Sequence, residues 1–105
     1  MTTASGNGAT ELRETNIILR MLYFCEEPKG TSQIMSYCGI DRSHAKKYSQ
    51  HCIGRGTLKM SHADYGLEVM VTTERGKEVL ATAENIVREL GINSEQGLLW
   101  TDVDS

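Results

Sequence analysis

Between Thr31 and Ile53 the sequence spells two short helices separated by three residues, Gly39-Ile40-Asp41. A connection that short forces the second helix to turn sharply against the first, over a shared core. The leading helix, from Thr31 to about Cys38, turns Ile34, Met35 and Cys38 inward. Thr31 is its expected N-cap and Gly39 its left-handed C-cap. The following helix, from Arg42 to about Ile53, takes Asp41 as an N-cap. Ala45, Tyr48, Ser49 and Cys52 face inward, and Arg42, Ser43, Lys46, Lys47 and Gln50 face outward. Gly54 and Gly56 are expected to end it. The rest of the chain must build around this helix-turn-helix.

Upstream, a helix is predicted from about Thr10 to Cys25, with Thr10 as N-cap and Glu11 and Glu14 near its positive end. Leu12, Ile18, Leu19, Leu22 and Cys25 recur at helical spacing, and Ile17, Met21 and Phe24 widen the apolar face. That much apolar surface needs more than one neighbour. Pro28-Lys29-Gly30 stops the helix. Residues 1–9, uncharged and rich in Gly, Ser and Thr, read as a disordered arm.

Downstream, Thr57–Ser61 and Leu67–Val71 alternate like strands, with Leu58 and Met60 on one and Leu67, Val69 and Val71 on the other. His62-Ala63-Asp64-Tyr65-Gly66 is the polar loop between them. A last helix runs from about Thr73 to Leu90 and is capped by Gly91. Its Val79, Ala83, Ile86 and Leu90 form a seam about two heptads long, with Leu80 and Val87 alongside. Residues 92–105 form an acidic tail with one apolar patch, Leu98-Leu99-Trp100, expected to dock on the body of the molecule. The fold class is therefore mainly α with a small β-hairpin. Residues 10–72 form one domain, and residues 73–91 form a dimerisation helix with no partner left inside the chain except the first helix.

A chain of 105 residues holds one small domain and excludes barrels and doubly wound enzymes. No apolar run approaches the roughly 18 residues that span a membrane. The first residues show neither a basic nor an apolar stretch of the secretory kind, so a cytoplasmic location is expected, on the nucleoid in a prokaryote. Cys25, Cys38 and Cys52 form no paired framework and are expected to be reduced, buried small hydrophobes. The net charge is −3, but it is unevenly spread. From Arg42 to His62 there are five Lys or Arg and no acid, with His44, His51 and His62 in addition.

This order of elements resembles a winged helix-turn-helix. It is similar to a family of small archaeal winged-helix DNA-binding proteins that dimerise through a C-terminal helix. The likeness covers about residues 10–90. It rests on Thr31-Ser32-Gln33-Ile34-Met35, Lys46-Lys47-Tyr48, Arg55-Gly56 and Thr73-Glu74-Arg75-Gly76. The chain departs from the family at Ser49, Cys52 and Thr57, where Leu is usual. The resemblance implies a DNA-binding transcription regulator or a chromosome-associated protein.

The residues point the same way. A helix fits the DNA major groove and presents its early outward side chains to base edges. Arg42, Ser43, Lys46, Lys47 and Gln50 are the right types for that task. Arg55, Lys59 and His62 are expected near the phosphate backbone, with Lys59 and His62 on the wing. Thr31 and Ser32 can hold a phosphate at a helix N-terminus. Tyr48 reads as core, and His44 and His51 as surface residues. No phosphate-cradling Gly-rich loop, Ser/His/Asp set or facing carboxylate pair occurs, so the expectation is no enzyme, cofactor, metal or small-molecule substrate. Double-stranded DNA and a second copy of the chain are the expected partners. An architectural chromosome protein and a winged-helix protein-interaction module are the competing readings.

Overall fold

The computed structural model describes residues 3–91, with side chains from Arg13 onward. Four helices and one hairpin follow in the order α1 (Thr3–Phe24), α2 (Thr31–Cys38), α3 (Arg42–Arg55), β1 (Leu58–His62), β2 (Glu68–Thr72) and α4 (Glu74–Leu90). The protein is mainly helical with a two-stranded antiparallel hairpin, as the sequence predicts. The segment 92–105, including Leu98-Leu99-Trp100, lies outside the described residues.

The α2–α3 turn follows from its residues. Gly39 adopts φ 69°, ψ 40°, and its N–H donates to Met35 O at 2.9 Å. Asp41 then caps α3, its carboxylate accepting from the His44 N–H at 2.8 Å. Ala45, Tyr48, Ser49 and Cys52 are all buried. Two boundaries differ from expectation. The N-cap of α2 is Gly30, not Thr31: the Gln33 side chain accepts the Gly30 N–H at 2.9 Å, which closes the first turn one residue earlier. The third helix runs through Gly54 to Arg55. A single helical glycine costs only about 1 kcal/mol, and the left-handed stop comes at Gly56, φ 81°.

The non-leucine positions of α3 and its exit find their own partners. Ser49 Oγ contacts Met21 Sδ at 3.8 Å. Thr57 Oγ1 donates to the Cys52 carbonyl at 3.1 Å, the same oxygen that accepts the Thr57 N–H at 2.9 Å. All three cysteines are free and buried.

α1 carries Leu19, Met21 and Leu22 into the core, with Cys25 just beyond its end. It begins at Thr3 rather than Thr10, so most of the expected arm is helical and Thr10 lies inside the helix. Once a helix is nucleated, each added residue gains a hydrogen bond for one pair of fixed dihedrals, so weak formers can be carried along. At the end of α1 the ring of Phe24 stacks on Tyr37 of α2 at 4.2 Å, and the Arg20 guanidinium lies 5.6 Å from the Tyr37 centroid.

The hairpin is shifted one residue from its expected bounds. Leu58 pairs with Thr72, Met60 with Met70 and His62 with Glu68. Leu58 is buried, but Met60 and Leu67 are exposed, and the sequence neighbours Val69 and Met70 are both buried. β2 therefore departs from alternation, and it is also the inner strand. β1 lies on one edge, and on the other Lys29 exchanges hydrogen bonds with Met70 at 3.0 and 2.8 Å. That bridge joins residues far apart in the chain, so no local pattern signals it.

A knot of small side chains fixes α4. Thr72 Oγ1 donates to the Leu22 carbonyl at 2.6 Å. Thr73 Oγ1 donates to Gly56 O at 2.6 Å and accepts the Gly76 N–H at 3.1 Å. Gly76 lies so close to Thr57 that a Cβ there would stand 2.4 Å from the Thr57 carbonyl oxygen. From this anchor α4 turns Leu80 and Val87 into the core. Val79 and Ala83 are half-buried, while Ile86 and Leu90 are exposed.

Candidate nucleic-acid interface

Burying Ala45, Tyr48, Ser49 and Cys52, at i, i+3, i+4 and i+7, leaves the opposite side of α3 to solvent. Arg42, Ser43, Lys46, Lys47 and Gln50 are all exposed there, as predicted. None of these cations makes an ion pair among the described residues. Lys47 Nζ lies 5.6 Å from the Tyr48 ring centroid. The buried inner half of the helix holds the exposed cationic heads on one face.

The acid nearest this face is Asp41, and it is engaged. Its carboxylate accepts from the His44 N–H and stands 2.8 Å from His44 Nδ1. The His44 backbone N–H, and then its ring, hold the Asp41 carboxyl below the usual carboxylate range. His44 and His51 are exposed, and Tyr48 is buried.

The flanking positions are less uniform. Arg55 closes α3 and Lys59 lies on β1, and both are exposed. His62 is exposed but paired in register with Glu68, and Asp64 follows in the loop. The wing therefore carries both signs, unlike α3. On α2, Ser32 is exposed and Thr31 half-buried, at the first helical turn, whose N–H groups have no partner within the helix.

The tip of the wing carries a feature that its polar composition conceals. Tyr65, at the tip, is fully solvent-exposed and adopts φ 65°, ψ 21°. A bulky residue in the left-handed region is a genuine outlier. With Leu67 and Met60 it leaves the wing partly apolar on its outside. An aromatic residue between Asp64 and Gly66 was the only available signal, and the loop's polar composition masked it.

No protein-family model matches the chain, and no curated protein matches it. Solved structures do. A DNA-binding protein from Sulfolobus solfataricus, Sso10a-2, superposes with a TM-score of 0.62 at 22% identity, covering 72% of this chain and 79% of that one. A MarR family transcriptional regulator from Silicibacter pomeroyi gives 0.64 at 16% identity, covering 97% of this chain and 65% of that one. Lactococcus lactis ZitR gives 0.59 at 19% identity, covering 96% and 76%. This chain has a winged-helix fold. In that frame α3 occupies the place of the second helix of the helix-turn-helix, and the β1–β2 hairpin is the wing. Among the described residues, no helix of this winged helix is long and apolar enough to cross a membrane.

Proposed function

We propose that the protein binds double-stranded DNA as a homodimer and regulates transcription, reading the major groove with α3. The observation that carries this reading is the exposed face of α3. It presents Arg42, Lys46 and Lys47 unpaired, with Ser43 and Gln50 beside them, within a stretch that holds no acid from residue 42 to residue 62. Three structural neighbours support it: one described as a DNA-binding protein, one as a transcriptional regulator, and ZitR sharing their fold.

The roles follow from position. Arg42, Ser43 and Lys46, near the N-terminus of α3, enter deepest and contact base edges. Lys47 and Gln50 reach a base edge or the groove wall. Arg55, Lys59 and His62 lie along the phosphates, as do the first-turn N–H groups at Thr31 and Ser32. No residue is assigned a catalytic role. For the homodimer, Val79, Ala83, Ile86 and Leu90 of α4, with Leu19 of α1, line an open apolar groove of about 520 Å3. A second α4 laid along that groove would remove Ile86 and Leu90 from water.

The test is duplex binding by fluorescence anisotropy for the parent and for Lys46→Glu, Lys47→Glu together. The pair should abolish binding and leave the circular dichroism intact, because both side chains are exposed. Undiminished binding by that variant overturns the α3 assignment. Selection of bound duplexes from a random pool then separates a regulator, which enriches one sequence, from an architectural protein, whose affinity follows salt alone. The apolar outside of the wing favours a second reading, a winged-helix module that binds another protein. It gains ground if the parent ignores duplex DNA at low salt.

A further inference from the structure

The groove between α1 and α4 is lined by Leu19 of α1 and by Val79, Ala83, Ile86 and Leu90 of α4, and its volume is about 520 Å3. Its only charged lining residues are Arg75 and Glu78, both at the end away from Leu90. Arg75 makes no ion pair among the described residues. It also stands at the α4 N-terminus, where the helix dipole favours an anion. The chain leaving the other end of α4 matches this layout. Gly91 stops the helix at φ 79°, its N–H donating to the Arg88 carbonyl at 3.0 Å. A left-handed stop turns the chain back, and the second residue past the helix commonly packs against the last turn. Here that residue is Ile92, and its counterpart in the last turn, Val87, lines the groove. Beyond Ile92 the sequence is apolar at Leu98-Leu99-Trp100 and acidic at Asp102 and Asp104.

We propose that in the single chain this groove is filled by the chain's own Leu98-Leu99-Trp100, so that a second copy must displace the tail to dimerise. The lengths agree. From Leu90 back to Val79 the helix runs about 17 Å. The nine residues from Ile92 to Trp100 span up to about 30 Å when extended, which leaves slack for the turn. A cavity of about 150 Å3 accommodates benzene, so the groove has room for about three apolar side chains of that size. With Trp100 near Val79, Asp102 and Asp104 come level with Arg75 and the α4 N-terminus, whose positive field outweighs Glu78. Tethering settles which occupant comes first, because a short linker holds the tail at an effective concentration of about a millimolar, far above a second copy at micromolar concentration. As a control on dimerisation the inference rests on the proposed homodimer; the docking of the tail does not.

Trp100 is the single tryptophan of the chain and so reports on its own docking. Its emission and acrylamide quenching are read on the full chain at a dilution where sedimentation shows a monomer. The emission should lie to the blue of free tryptophan and the quenching should be weak. Ile86→Glu, which puts a charge in the groove at an exposed position, should move both toward free tryptophan with unchanged circular dichroism. Arg75→Glu should do the same more weakly, as should high salt on the parent. Leu98→Ser with Leu99→Ser should free Trp100 and tighten the dimer roughly tenfold, because neither copy then has a tail to release. The proposal is overturned if Trp100 in the parent monomer emits and quenches as free tryptophan, if Ile86→Glu leaves its emission unchanged, or if the Leu98, Leu99 variant dimerises no more tightly than a dimerising parent. Burial of Trp100 only as the dimer forms also overturns it, since the tail then lies on the partner. If parent and variants stay monomeric at every concentration while Trp100 is shielded and responds to Ile86→Glu, the homodimer fails and the docking stands.

Discussion

α3 buries Ala45, Tyr48, Ser49 and Cys52, and α4 buries Gly76, Leu80 and Val87, so each helix is anchored by one stripe. What they leave outside is opposite in kind. On α3 the exposed face is cationic and hydrogen-bonding, which water solvates well. On α4 it is aliphatic, with Ile86 at 53% and Leu90 at 69% exposure, which water solvates badly. The anchoring stripe tells where a helix sits, and the leftover face tells what it is for. A cationic face gains most from a polyanion, an aliphatic face from another apolar surface.

The largest break in this contrast comes from reversing charge on α3. Lys46→Glu with Lys47→Glu should lower duplex affinity roughly a hundredfold or more at moderate salt, because two attractive charges become repulsive. Single Ala replacements at Arg42 or Lys46 sharpen it, costing about 1–3 kcal/mol and relaxing preference at one base position. Anisotropy titrations measure both.

Changing the anchor of α4 should unsettle the whole molecule. Gly76→Ala would put a methyl 2.4 Å from the Thr57 carbonyl and 2.5 Å from Thr72 Cγ2. A loss of about 3 kcal/mol by urea denaturation is expected, at the upper end of overpacking penalties. Gly39→Ala is the control: its surroundings are open, and only the φ of +69° resists it, so about 1 kcal/mol is expected. Equal losses at the two glycines would show that close packing under α4 does not matter.

On the outer face of α4, Ile86→Glu should convert a sedimenting dimer to a monomer of unchanged circular dichroism, since Ile86 is not needed by the core of one chain. A parent that is already monomeric at micromolar concentration removes the dimer from the proposal.

The last effect is in pH and is confined to alkaline conditions. Burial pushes the Cys25 thiol up to about 12 and the Cys38 thiol up to about 11. Above the ordinary value of 9.0, the unfolded chain gives up these protons while the folded chain keeps them, so ν_U falls below ν_N and stability drops as pH rises. Urea midpoints should be flat with respect to these thiols near neutrality and decline from pH 9.0 toward about 12. Alkylation of either thiol in the folded protein should be slow throughout the neutral range.

α3 is legible in the sequence because what specifies it is local. A cap at Asp41, a glycine in the left-handed region at each end and a buried set at helical spacing all lie within one short stretch, and each acts through neighbours in the chain. The exposure of Arg42, Ser43, Lys46, Lys47 and Gln50 is legible for the same reason: they are what the buried set leaves over. The wing was half legible. Its strands and loop show in the alternation, but their bounds lie one residue further on and the exposure of Tyr65 does not show, because composition does not reveal which loop residue takes a positive φ.

The helices, the turn between α2 and α3, the cap at Asp41 and the cationic face are legible in the chain, since these depend on periodicity and on contacts a few residues apart. The packing of distant segments supplied the rest. It set Lys29 against Met70 as a second neighbour of β2, pressed Gly76 onto Thr57 and Thr72, and gathered Leu19, Val79 and Ala83 around one groove. Those contacts join residues tens of positions apart, and their energies depend on which surfaces the close-packed core leaves touching, which no window along the chain contains.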